Sequence, residues 1–181
     1  LIMFSHTCDT MQNVADLWRA HSPRTEVLIA SVPSRTDGDA PLRYYIAELK
    51  RLKMKLEDKM GPITDEALAA SLKLYNEHRR AMQELYVLRN EKAGVLSGAQ
   101  MMNISASAFL IDVAEHLALV RDVIAALKEA DNCGDTALPR VFVAGGMCRH
   151  VGFIELMESA GCMVVGDDLC VGSRSFAHGE V

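Results

Sequence analysis

Short, unbroken apolar runs bracket a long central stretch in which apolar positions recur at helical spacing. At the start, Leu1-Ile2-Met3-Phe4 reads as a buried strand, Asp9 to Ala20 as a helix, and Glu26 to Val32 as a second strand ended by Pro33. Unbroken rather than alternating apolar residues point to a sheet covered on both faces. The polar segment Arg35-Thr36-Asp37-Gly38-Asp39 reads as a flexible connection. From residue 40 to about 131 the period is helical almost throughout. Leu42, Tyr45, Ile46, Leu49, Leu52, Leu56 and Met60 fall on one stripe, which Gly61-Pro62 stops. Thr64 caps the next helix, with Asp65 and Glu66 in its first turn favouring the dipole. That helix should turn Leu68, Leu72, Tyr75, Met82 and Leu85 inward and run to about Lys92. Gly94 breaks it and Ser97 starts another, with Phe109, Val113, His116, Leu117, Val120 and Ile124 carrying the apolar face on to about Ala130.

The pattern then returns to strands. Arg140 to Ala144 enters a Gly145-Gly146 turn, Val151 to Ala160 is a helix, and Cys162 to Gly166 is the next strand. A helix between two strands implies a parallel pair with a right-handed crossover. The expected fold is therefore α/β. Residues 1–36 read as the end of one lobe, 37–132 as a helical linker region, and 133–181 as the truncated start of a second lobe. Both ends read as cuts: a bare strand is a poor place for a domain to begin, and Ala177 to Val181 stops soon after a loop without a closing helix.

Composition acts mainly by exclusion. The 181 residues are half apolar and 24% charged, with a net charge of -5. That balance argues against a phosphate-neutralising nucleic-acid surface as the main role. No apolar run approaches the ~20 residues that span a bilayer. Leu1 to Phe4 is too short for a signal peptide and has no basic flank. A cytoplasmic location is the expectation.

The five cysteines, Cys8, Cys133, Cys148, Cys162 and Cys170, are odd in number and form no Cys-x-x-Cys pair, so they read as thiols, metal ligands or core residues. Open parallel sheets bind ligands outside the carboxyl ends of their strands. Cys8, Cys148 and Cys170 each follow an expected strand, whereas Cys133 and Cys162 do not. Cys8 lies in the corner His6-Thr7-Cys8-Asp9-Thr10, where a helix N-terminus favours negative charge. That suits a metal ligand or a nucleophile, although a buried structural cysteine fits as well. The loop Gly166 to Arg174 gathers Asp167, Asp168, Cys170 and Arg174. Its acids could orient Arg174 or a ligand, and Arg174 could meet a phosphate; a local Asp–Arg pair in a solvated loop is the alternative. Gly145-Gly146 could admit a close ligand or be only a turn. His116 reads as a satisfied core histidine, and His78-Arg79-Arg80 as an exposed helical face. No phosphate-binding loop, Gly-x-Ser-x-Gly or zinc-hydrolase motif occurs, and no catalytic residue is assigned.

Thr7-Cys8-Asp9-Thr10 with Trp18 beyond it resembles the cysteine corner of the 2-hydroxyacyl-CoA dehydratase D-component and benzoyl-CoA reductase subunit family. Tyr45 to Gly61, Ile63-Thr64-Asp65-Glu66, Leu74-Tyr75-Asn76-Glu77, Leu96-Ser97-Gly98, Ala144-Gly145-Gly146-Met147-Cys148 and Asp167 to Arg174 follow in the family's order. The resemblance implies parts of two flavodoxin-like parallel-sheet lobes joined by a helical segment. It implies one four-iron four-sulfur (4Fe-4S) cluster per complete subunit, with Cys8 as a ligand, Cys170 as a second candidate and Cys148 as a third. Further ligands are expected outside the chain. It also implies an acyl-CoA substrate held between homologous subunits, and an ATP-dependent activator protein that delivers one electron. A ketyl radical then lets water leave a 2-hydroxyacyl-CoA. The related branch reduces an aromatic ring, and a non-catalytic paralogue acting as partner or electron relay is the remaining alternative.

Overall fold

The structure is a computed structural model that describes residues 1–92, 94–131, 137–148, 150–177 and 179. It is an α/β protein in two compact units, residues 1–67 and 68–181, so the helical stretch expected over 37–132 is shared between them. The first unit is a strand–helix–strand with a long helix after it: β1 (Ile2–His6), α1 (Asp9–His21), β2 (Val27–Ser31) and α2 (Asp39–Met60). β1 and β2 run parallel, in register from Ile2 against Val27 to His6 against Ser31. Phe4, Ala15 and Leu28 are buried between the pair and α1, with the Trp18 ring 6.1 Å from that of Phe4.

The long helix α2 is fixed to β2 through charge. The buried Glu48 carboxylate accepts the Ser31 amide at 2.9 Å and the Arg51 Nε and Nη2 at 2.7 Å each. Arg51 Nη2 also donates to the Ile29 carbonyl at 2.5 Å. The guanidinium beside it holds the Glu48 carboxyl down to about 2 against the opposing effect of burial. The apolar stripe expected along α2 is only partly used. Leu52 is buried, but Leu42, Tyr45, Ile46, Leu49 and Met60 are exposed. The reason is size: 22 helical residues extend about 33 Å, whereas a five-residue strand extends about 17 Å. Gly61 ends the helix at φ 90°, a left-handed conformation that favours glycine.

The second unit begins within the first turn of α3 (Asp65–Glu91) and continues through α4 (Gly98–Ser107), α5 (Val113–Glu129), β3 (Arg140–Ala144), α6 (Val151–Ser159) and β4 (Met163–Asp168), with a short 3-10 turn at Ser173–Ser175. Thr64 Oγ1 accepts the Ala67 amide at the start of α3, as its position in the sequence predicts. Ser97 caps α4 in a reciprocal box with Gln100. The single helix expected from Ser97 to about Ala130 is instead two. α4 ends at Ser107, and Asp112 opens α5 by accepting the amides of Ala114 (2.8 Å) and Glu115 (3.4 Å). A good N-cap outweighs an apolar period that runs through it.

α4 serves two cores. Met101 joins Met82, Leu85, Leu117, Val120 and Ile124 in a helical core, while Ala99 and Met102 pack with Ile154, Val164 and Leu169 over the sheet. Gly98 permits this double role, since a Cβ there would lie 2.6 Å from that of Val164. β3 and β4 are parallel, with Arg140 opposite Met163. An irregularity after Val141 leaves Val165 out of the register and sets Phe142, Val143 and Ala144 opposite Gly166, Asp167 and Asp168. The two acids expected in a loop are thus the last residues of a strand.

His116 is the satisfied core histidine expected, but His78 is not on an exposed face: both are buried. His78 Nε2 lies 2.7 Å from His116 Nδ1, and His116 Nε2 lies 2.9 Å from the Ile104 carbonyl and 3.1 Å from Ser107 Oγ. The Ile104 carbonyl accepts only, so His116 carries its proton on Nε2 and accepts from His78 at Nδ1. Leu68, Leu72 and Tyr75 on α3, and Phe109 beyond α4, are exposed rather than inward. Burial first, then His116 and Arg79, push His78 down to about 4. The native state therefore binds fewer protons than the unfolded chain between about pH 4 and the ordinary histidine value near 6.5. Stability should be full above that window and fall as pH drops through it, by roughly 3 kcal/mol at most. Urea denaturation at pH 7.5, 6, 5 and 4 should show the loss, and His78→Phe should flatten it.

Candidate functional site

Cys8 caps α1 two residues beyond β1. Its backbone is extended (φ -151°, ψ 159°), its side chain makes no capping hydrogen bond, and it is exposed. Cys170 also lies two residues beyond a parallel strand, β4, and is likewise exposed. The remaining thiols differ. Cys148 is half-buried against the core over the sheet. Cys162 donates its Sγ–H to the Met157 carbonyl at 2.9 Å. Cys133 lies outside the described residues.

The loop after β4 is built around two aspartates with separate tasks. The side chain of Asp167 turns toward the protein. Its Oδ2 accepts the Tyr86 hydroxyl at 3.0 Å, and its Oδ1 accepts the amides of Ser173 (2.8 Å) and Leu169 (3.3 Å). Tyr86 Oη lies 2.9 Å from Ser105 Oγ, and burial pushes the phenol above its ordinary value. Asp168 turns outward and takes Arg174 bidentately, Nε to Oδ1 and Nη2 to Oδ2 at 2.8 Å each. That guanidinium holds the Asp168 carboxyl below the ordinary range. Arg174 Nη2 also donates to the carbonyls of Asp168 (2.8 Å) and Gly145 (3.1 Å), and Nη1 to Cys170 Sγ at 3.4 Å. The local Asp–Arg pair is formed, and it extends to the thiol. Phe176 closes the loop, buried against α3 with its carbonyl accepting Gln83 Nε2 at 2.6 Å.

Tyr86, Ser105 and Gln83 were not legible as site residues. Tyr86 stands 81 residues before Asp167, and only the tertiary fold brings them together. Beside this loop an open groove of about 770 Å³ is lined by Tyr86, Phe142, Asp167, Asp168, Ser173 and Phe176. Its volume is in the range of small-molecule sites, and its walls mix aromatic and acidic groups.

The donor chemistry suits a soft metal group in part. Two exposed thiols stand at strand ends, one in each unit, and thiolates are the usual ligands of iron–sulfur clusters. Near Cys170, neither Gly145 nor Gly146 has a left-handed backbone. A Cβ at Gly146 would meet nothing within 4 Å, and one at Gly145 only Leu169 Cδ2 at 3.8 Å. Packing within the chain does not demand glycine there. Among the described residues no three His, Cys, Asp or Glu side chains form a complete metal set. Each exposed thiol, Cys8 or Cys170, has the donor chemistry of a cluster ligand, and neither unit holds a whole ligand set among the described residues. No helix among the described residues is long and apolar enough to cross a membrane.

Fold and site together define an α/β protein with an exposed thiol at a strand end in each unit. The chain belongs to the 2-hydroxyglutaryl-CoA dehydratase D-component family, whose model matches residues 1–181. It is 32% identical over 188 residues to a benzoyl-CoA reductase subunit of Thauera aromatica, covering 99% of this chain and 47% of that protein. It is 25% identical over 174 residues to the lactoyl-CoA dehydratase beta subunit of Anaerotignum propionicum, covering 96% and 46%. With the (R)-phenyllactyl-CoA dehydratase beta subunit of Clostridium sporogenes it shares 23% over 176 residues, covering 97% and 47%. The chain thus spans about half the length of the curated relatives it matches.

The loop makes one steric demand. Gly172 has a negative φ (-120°), but a Cβ there would overlap the Asp167 carboxylate. Gly172→Ala should therefore displace Asp167 from the Ser173 amide and cost about 1–3 kcal/mol, the usual penalty of overpacking. A fall in the urea midpoint relative to Gly146→Ala, which meets open space, checks this.

Proposed function

We propose that this chain is part of one subunit of an iron–sulfur enzyme that delivers single electrons to acyl-CoA thioesters. The reaction is loss of water from a 2-hydroxyacyl-CoA by a ketyl-radical route after ATP-driven activation. The observation that carries the reading is the match of the whole chain to the dehydratase D-component family. The exposed Cys8 at its strand-to-helix corner supports it. Cys8 and Cys170 would each give a thiolate to a 4Fe-4S cluster whose other ligands lie elsewhere in the complete protein, with Cys148 a weaker contributor because it is half-buried. Bound there, such a cluster supplies a low-potential electron. The two units are read as parts of flavodoxin-like lobes in a cytoplasmic protein. A homologous subunit, the acyl-CoA and an ATP-dependent activator complete the assembly.

What the chain's own residues do is hold and orient. The α1 N-terminus faces Cys8 with backbone amides, which favour negative charge. Asp167 fixes the Cys170 loop against Tyr86, and Asp168 fixes Arg174. A second reading, reduction of an aromatic ring on CoA, is favoured by the 32% identity to a benzoyl-CoA reductase subunit, against 23–25% to the dehydratase subunits.

The test uses the complete polypeptide with its partner subunit, purified without oxygen, beside its Cys8→Ala variant. Iron and acid-labile sulfide should be present in the parent and largely lost from the variant, with activity lost in parallel. Full activity in Cys8→Ala, or a parent without iron after reconstitution, would sink the proposal. Turnover of a 2-hydroxyacyl-CoA against benzoyl-CoA, with activator and ATP, separates the two readings.

A further inference from the structure

Cys170 is an exposed residue held at every polar atom. Its amide donates to the Gly146 carbonyl at 3.2 Å, its carbonyl accepts Ser175 Oγ at 2.7 Å, and its sulfur accepts Arg174 Nη1 at 3.4 Å. The donor is more constrained than the acceptor. Arg174 is fixed by both oxygens of Asp168 and by the carbonyls of Asp168 and Gly145 before it reaches the sulfur. The Asp168–Arg174 pair is half exposed, and such pairs in water add little to stability. Its distinctive product is an N–H group aimed at Sγ. Asp168 offsets the guanidinium charge, so the sulfur meets a directed hydrogen bond more than a net positive field.

We propose that Arg174 is a positioning residue for Cys170, fixing the direction of its sulfur and donating the N–H···S bond that favours the reduced form of a cluster bound there. This rests on the reading of Cys170 as a cluster ligand. The physical basis is general: hydrogen bonds to ligand sulfur stabilise the more negative oxidation level, and donors around a metal's ligands tune it. Arginine is the residue that can do this here. Its planar fork reaches the carboxylate and the sulfur together, whereas the lysine ammonium is a point charge on a flexible stem. The same loop is tied to the turn after β3, since the Gly145 carbonyl receives Arg174 and the Gly146 carbonyl receives the Cys170 amide.

The experiment compares the complete polypeptide with its Arg174→Gln and Arg174→Lys variants, each purified without oxygen and reconstituted with iron and sulfide. Dithionite titration followed by electron paramagnetic resonance gives the midpoint potential, and iron and sulfide assays give the loading. Both variants should keep iron near the parental level. In both, the equilibrium should shift about tenfold toward the oxidised form, a fall of about 59 mV for one electron. An unchanged midpoint in the loaded variants overturns the proposal, as does a parental midpoint in Arg174→Lys, which would assign the effect to charge alone. If Arg174→Gln loses its iron, the midpoint of Arg174→Lys decides. A parent that takes up no iron defeats the cluster reading instead, so the two failures are distinct.

Discussion

A buried guanidinium holds the second unit together. Arg89, on α3, donates Nε to the Leu96 carbonyl at 3.1 Å and Nη2 to the Val164 carbonyl, so one side chain joins α3, the entry to α4 and the start of β4. A buried charge is costly unless its hydrogen bonds are satisfied. Burial lowers the affinity of Arg89 for its proton, while Glu158, Tyr86 and Asp167 act in the other direction. Glu158 is itself engaged, accepting the Gly98 amide at 2.7 Å at the start of α4. Everything downstream on β4 inherits this anchoring. With Val164 fixed, the skipped Val165 sets Asp167 and Asp168 in place, and those acids place Tyr86, Arg174 and Cys170.

Local signals made most of the elements legible. Thr64, Ser97 and Gly61 mark helix ends because caps act over three or four residues. The unbroken apolar runs marked β1 and β2 as strands but overstated their burial, since Met3 is exposed and the sheet is not covered on both faces among the described residues. What the sequence hid lay at longer range. Leu42, Ile46 and Leu49 have the period of a buried stripe, but period reports only which residues share a face, not how much partner surface covers it. His78 looked exposed because Arg79 and Arg80 follow it, yet adjacent helical positions point about 100° apart. Its burial depends on His116, 38 residues away.

The same contrast holds for the site. All the cysteines look alike in sequence, and proximity to a strand end separates them only partly. Their surroundings separate them further: Cys162 spends its S–H on Met157, Cys148 packs in a core, and Cys8 and Cys170 stay exposed. The two adjacent acids were equally ambiguous, and the irregularity in β4 resolves them. Successive strand residues face opposite sides, so one carboxylate builds the loop from within and the other clamps Arg174 from without.

That division of labour bears on how one scaffold serves relatives named for different reactions. On the proposed reading, delivering an electron asks of this region only a fixed thiol and a tuned environment, which Asp168, Arg174 and Cys170 form on a loop that Asp167 holds. Choosing between loss of a hydroxyl and reduction of a ring depends on how the acyl group is held and where its protons come from. The groove walled by Phe142, Tyr86 and Phe176 shares Asp167, Asp168 and Ser173 with the thiol loop. Asp167 joins the two regions, since one of its oxygens holds the thiol loop and the other meets Tyr86 at the groove.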